Sequence, residues 1–180
     1  MCIRDSVSAV EQGRGIYANI RKFVRYLLSC NIGEVLTMFL GIIFGMPMVL
    51  MPSQILLVNL VTDGLPAVAL GVEPCGEENM RKPPRHKDES FFSGGLMFRI
   101  VFRGILIGIC TLACFTVMLR TGAGLGAART GALLTLVMSQ LFHVFECKSE
   151  TKNIFTVPYF NNPKLIPVSY THLRAHETEL

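Results

Sequence analysis

Asn31 and Glu34 stand three residues apart inside one apolar stretch, and Asn59, Thr62 and Asp63 stand three and four apart inside the next. On a helix each set shares one face. Two carboxylates, two side-chain amides and a hydroxyl are hard oxygen donors, which suit Ca²⁺ far better than Zn²⁺ or Cu⁺, whose sites call for softer ligands. Gly64 and Pro66 follow directly. Pro66 has no N–H to give the Thr62 carbonyl, so the helix is expected to break there and leave carbonyl oxygen open to an ion. A central Asp costs about 2.5–3.5 kcal/mol on membrane-insertion scales, so carboxylates kept in apolar spans need a reason. Hydrogen bonding between helices is one reason and ion binding is the other. Carboxylates set beside helix breakers favour ion binding.

A later apolar stretch carries Gln140, His143 and Glu146 at i, i+3, i+6. Gln140 lies deepest and is the third contributor to the polar face. Glu146, next to Cys147 and Lys148, reads as a solvated or salt-bridged residue at the end of its span, and His143 as a histidine held in a helix contact.

These residues need a membrane scaffold. Of 180 residues, 51% are hydrophobic and 17% charged, and the mean hydropathy is +0.45, which is membrane composition and excludes disordered, collagenous and disulfide-scaffold chains. Four spans are expected at about residues 17–45, 54–70, 96–119 and 130–147, giving an all-α polytopic transmembrane bundle, because in hydrocarbon each helix satisfies its own backbone. The first stretch is too long for one crossing, and its Arg21, Lys22 and Arg25 mark a stalk leaving the membrane. Arg and Lys also cluster in residues 73–93 and after Cys147, so the stalk, that loop and the C-terminal segment are expected on the cytoplasmic side. The net charge of +4 sits at membrane flanks, which points to membrane lipid and not to nucleic acid as a partner. Arg21, Lys22 and Arg25 are expected among headgroups. Cys30, Cys75, Cys110, Cys114 and Cys147 show no zinc or secreted-disulfide spacing and read as buried free thiols.

The two ends read differently. Met1 to Ser6 can be written ATG TGT ATA AGA GAC AGN, whose reverse complement encodes Val-Ser-Tyr-Thr-His, the residues at 168–172. One DNA element therefore flanks the coding piece in both orientations, and residues 1–6 and 168–180 are expected to be adapter-derived tails around a transmembrane ion-transport fragment at 7–167.

GRGIYANIRKFVRYLLSCNIGEVL followed by ILLVNLVTDGLPAVALGVEP closely resembles the fifth and sixth transmembrane segments of P-type calcium-transporting ATPases, in the bacterial form of the sarcoplasmic-reticulum-type branch. PPRHKDESFFSGGL is similar to the loop after the sixth segment and QLFHVFECKSETKNIF to the end of the eighth. The resemblance implies that Asn31 and Glu34 coordinate one Ca²⁺ and Asn59 another, with Thr62 and Asp63 between them and Asp63 touching both. Gln140 falls where family members often have Glu. The Cys-Pro-Cys motif of heavy-metal pumps is missing at the broken helix. The implied whole is an ATP-driven pump exporting Ca²⁺ by alternating access across a bacterial plasma membrane. ATP and Mg²⁺ would belong to cytoplasmic domains of the same chain that lie outside this piece, and the piece alone would hydrolyse no ATP. The remaining readings are a secondary cation/proton antiporter using the same oxygen face, or a structural membrane fragment.

Overall fold

The structure is a computed structural model describing residues 3–73, 80, 91–92 and 94–148. Cys75, the basic loop motif and residues 168–180 lie outside the described residues. Within them the chain is helical, with four helical stretches long and apolar enough to cross a membrane.

Helix α1, Ile3–Ile43, is unbroken over 41 residues. At about 1.5 Å per residue it is roughly 60 Å long, about twice the hydrocarbon thickness of a bilayer, and residues 5–13 are all exposed. The stalk expected from the sequence is present and longer than the expected start near Tyr17. It ends where Gly45 takes φ +62° and the Met46 N–H reaches back 2.9 Å to the Gly41 carbonyl, the left-handed glycine stop of a helix.

The second span comprises α2, Pro52–Leu57, a π-helical turn, Val58–Asp63, and α3, Gly64–Gly71. Pro52 stands in the first turn, where its missing N–H costs nothing, and Gln54 Oε1 accepts the Met51 N–H at 2.9 Å. Helix α4, Leu96–Arg120, and helix α5, Leu125–Cys147, complete the bundle. The expected start of the last span near Thr130 is five residues late. Gly122 and Gly124 make the turn, with φ +78° and +82°, and the alanines that follow continue as helix.

Helices α1 and α4 cross at glycine. A Cβ on Gly104 would lie 2.5 Å from Ile32 Cγ2 and 3.0 Å from the Ser29 carbonyl, and one on Gly33 would lie 2.9 Å from Ile107 Cγ2. This close approach, with Gly104 and Gly108 one turn apart, is the small-residue packing of membrane helices. Gly33 lies directly before Glu34, so the crossing fixes the depth and rotation of that carboxylate. One apolar cluster, including Val49, Leu50, Phe115, Leu136 and Val137, fills the bundle away from the stalk. A smaller one, around Tyr26, Cys30, Leu70 and Val144, fills the stalk end.

Cys30 and Cys147 are buried as expected, but Cys110 is exposed and Cys114 half-buried. The sequence expectation fails for Cys110 because the face of α4 that contacts α1 is set by Gly104 and Gly108, and Cys110 points elsewhere. The headgroup expectation changes too. Lys22 Nζ lies 2.8 Å from Glu73 Oε2, and Arg25 is only 4% exposed, with its guanidinium 3.6 Å from Glu146 Oε1. Both face protein carboxylates.

Candidate cation site

Glu34 is 4% exposed and Asp63 is wholly buried. Glu34 is the centre of a three-helix contact: its Oε2 accepts from Asn59 Nδ2 at 2.5 Å, and its Oε1 accepts from Gln140 Nε2 at 2.9 Å. Residues 25 and 106 positions apart in sequence thus converge on one carboxylate. Asn59 Nδ2 also reaches the Ile55 carbonyl at 3.0 Å, one turn back.

The π-helical turn brings the rest. The widened helix from Val58 to Asp63 precedes Gly64 and Pro66, and a π-bulge of this kind redirects side chains and loosens the backbone ladder. Because Pro66 cannot donate, the Thr62 carbonyl has no N–H four residues on. The hydroxyl of Tyr26, on α1, lies 3.3 Å from that carbonyl and 3.2 Å from Asp63 Oδ1. The helix expected to break at Pro66 does not: Pro52–Gly71 runs as one helical stretch that widens at the π-helical turn, and what Pro66 removes is the usual donor to the Thr62 carbonyl, which faces Tyr26 on α1. Thr62 is buried beside it at 1% exposure.

Two oxygens of the site are buried without a hydrogen-bond partner among the described residues: Asp63 Oδ2 and Gln140 Oε1. A buried acceptor left unpaired costs about 1–3 kcal/mol, more for a charged group. Such a group calls for an explanation, and a bound ion is one that fits two oxygens on facing helices.

Five of the six residues singled out from the sequence, Glu34, Asn59, Thr62, Asp63 and Gln140, are buried or half-buried in the bundle. Asn31 is different: it is exposed, and its amide donates 2.8 Å to the Leu27 carbonyl of its own helix. Sharing a face at i, i+3 is a spacing of about 300°, and here that angle is enough to leave Asn31 outside while Glu34 is inside. Among the described residues no three His, Cys, Asp or Glu side chains gather as a metal-binding group. The site is built from two carboxylates with amide and carbonyl oxygens.

Tyr26 was not singled out from the sequence. The signal was available, since Tyr26, Cys30 and Glu34 recur every four residues on α1. His143 packs its ring 6.0 Å from that of Tyr26 and lies 3.4 Å from Glu146 Oε2, while Glu146 also pairs with Arg103 of α4. His143 and Glu146 are therefore the helix-contact histidine and the salt-bridged end residue expected of them.

Residues 47–172 match the family described as cation transporting ATPase, C-terminus. The chain belongs to this cation-transporting ATPase family. Its relatives include a calcium-transporting ATPase of Bacillus subtilis (strain 168), 48% identical over 160 residues, covering 88% of this chain and 18% of the relative. Calcium-transporting ATPase 1 of Bacillus cereus is 43% identical over 176 residues, covering 89% of this chain and 20% of the relative. Calcium-transporting ATPase 2, endoplasmic reticulum-type, of Arabidopsis thaliana is 40% identical over 154 residues, covering 85% and 15%. The chain thus spans at most about a fifth of the length of these relatives and corresponds to a C-terminal membrane part of such cation-transporting ATPases. With four apolar spans, it is an integral membrane protein.

Proposed function

We propose that these helices line the Ca²⁺ passage of an ATP-driven calcium pump, with Glu34, Asn59, Thr62, Asp63 and Gln140 holding the transported ion. The observation that carries this reading is the pair of buried, unpartnered oxygens on Asp63 and Gln140, together with a buried carboxylate, Glu34, that two amide groups hydrogen-bond. Without an ion, the NH₂ groups of Asn59 and Gln140 supply the positive ends of dipoles to Glu34. When Ca²⁺ binds, the same amides turn by half a rotation about their terminal torsions and offer carbonyl oxygen instead. The exchange keeps Glu34 satisfied in both states, so neither state leaves a buried charge bare. The π-helical turn adds main-chain oxygen near Thr62 at a point where an unbroken helix has none to give.

Asn31 belongs to the ligand set by resemblance alone, since it is exposed and bonds its own helix. In this reading the bundle works by alternating access in a bacterial plasma membrane, as one part of a longer polypeptide whose cytoplasmic domains use ATP and Mg²⁺. The stalk end of α1 is the cytoplasmic one, and the stalk links those domains to Glu34. Surrounding membrane lipid meets the exposed apolar faces, such as Phe98, Leu60 and Phe142.

The test is Asp63→Asn in the full-length pump. Calcium-activated phosphorylation from ATP should be lost while ATP binding stays within about twofold of wild type. The substitution is isosteric and leaves an acceptor for Tyr26, so what it removes is the ion's charge partner. Normal calcium-dependent phosphorylation in this variant would end the assignment.

A further inference from the structure

The polar contacts between α1 and the second span form an antiparallel ladder. At the stalk end, Asn19 Nδ2 lies 2.6 Å from the Glu73 carbonyl and 3.3 Å from the Gly71 carbonyl. Next, Lys22 Nζ pairs with Glu73 Oε2 at 2.8 Å. Tyr26 then reaches Thr62 and Asp63, and Glu34 reaches Asn59 at the innermost rung. Asn19, Lys22, Tyr26 and Glu34 recur at helical spacing and so lie along one face of α1. The ion-binding rungs are the two inner ones. The two outer rungs contain no candidate ion ligand.

The outer rungs are built for grip. Asn19 satisfies the carbonyl of Gly71, the last residue of α3, and that of Glu73 just beyond it, where no further turn of helix follows. The Glu73 side chain is 10% exposed and that of Lys22 18%, so the pair is largely shielded from water, and Lys148, just past α5, reaches the other carboxylate oxygen at 3.9 Å. Glu73 is thus held from two helices at the point where the second span leaves the bundle. Between this hold and Asp63 lies only α3, eight residues of continuous helix. The π-helical turn is the next compliant point along the span.

We propose that the Lys22–Glu73 pair is a positioning rung that makes the stalk end of the second span follow α1, so that a displacement of the stalk is delivered through α3 to the π-helical turn and its carboxylate. A short rigid helix fastened at one end and joined to a loosened turn at the other concentrates any displacement in that turn. Glu73 touches no ion in this arrangement and acts only through α3. The proposal rests on the calcium-transport reading above.

The experiment uses the full-length protein in sealed membrane vesicles and measures two quantities: Ca²⁺ bound at equilibrium without ATP, and Ca²⁺ transported per ATP hydrolysed. In Glu73→Gln, the transported ratio is expected to fall at least threefold with equilibrium affinity within twofold of wild type. The exchanged pair, Lys22→Glu with Glu73→Lys, should restore at least half of the lost ratio, the remainder reflecting Lys148 beside the new lysine. If Glu73→Gln is not recovered folded, Lys22→Gln, which leaves Glu73 with Lys148, carries the same expectation for the ratio. An unchanged ratio overturns the rung, as does a fall in equilibrium affinity that matches the fall in ratio, since that would place Glu73 in the binding site. A wild-type protein without calcium-stimulated ATP hydrolysis would overturn the transport reading, and the rung with it.

Discussion

The two segments that carry the candidate ligands deliver them by opposite means. Helix α1 is an uninterrupted rod whose Glu34 is set by glycine-to-helix contact with α4 one residue away. The second span is three short pieces, with Asn59, Thr62 and Asp63 on the loosened turn between two helices. One segment offers a side chain on a fixed frame and the other offers side chain and backbone on a frame that can give. On the proposed reading, in which the site binds an ion and later releases it, both are needed. A rod alone would hold the ion in one geometry, and a loosened span alone would have nothing to work against.

The largest expected effect comes from spoiling the rod. Gly104→Ala places a methyl group 2.5 Å from Ile32 and 3.0 Å from a backbone carbonyl of α1, and overpacking of this kind costs about 1–3 kcal/mol. The apparent unfolding temperature in detergent should fall by several degrees, whereas Gly13→Ala, where nothing lies within 4 Å, should leave it unchanged or slightly raised. Equal behaviour of the two variants would mean that the α1–α4 crossing does not set Glu34.

Tightening the loosened span should have the next largest effect. Pro66→Ala restores an N–H that can claim the Thr62 carbonyl, now facing Tyr26. Ca²⁺ affinity in the full-length pump is expected to fall about tenfold, equivalent to about 1.4 kcal/mol, while the span itself becomes more resistant to hydrogen exchange. Unchanged affinity would show that the freed carbonyl plays no part in binding.

The smallest effect sharpens the comparison at the third helix. Gln140→Glu adds a carboxylate to a site now served by two, and more anionic oxygen ligands tighten Ca²⁺ binding. A severalfold gain in apparent affinity is expected from equilibrium Ca²⁺ binding. No gain would mean that the unpartnered Gln140 oxygen does not face the ion.

Much of this arrangement was legible in residue order. The spans follow from apolar length, and the undonated Thr62 carbonyl follows from Pro66, because both depend on local chemistry that any neighbour leaves intact, although the full helix break expected there is only a π-helical turn. Glu34, Asn59, Asp63 and Gln140 could be named because charge and amide groups are costly in apolar spans wherever they lie. What could not be read is which way a helix is turned. Asn31 and Glu34 differ by three residues, yet one bonds its own backbone outside and the other is buried, and that choice is made by Gly33 and Gly104 meeting across two helices. Tyr26 and Glu73 were missed for the same reason. Their roles exist only between segments, at sequence separations of 37 and 51.

The charges that hold the helices together are unevenly placed. At the stalk end, Arg25 and Arg103 converge from two other helices on Glu146, and Lys22 and Lys148 on Glu73. At the other end, the described contacts are apolar packing around Val49 and Phe115, with Arg129 donating to the Met48 carbonyl at 3.0 Å. Splaying the stalk end would strand ions in a poorly hydrated setting. Splaying the far end separates hydrocarbon from hydrocarbon, which lipid tails replace almost without loss. The bundle is therefore held by ion pairs where the stalk leaves it, and at the far end by two short turns and apolar packing, so its two hairpins part from each other most cheaply at the end away from the stalk.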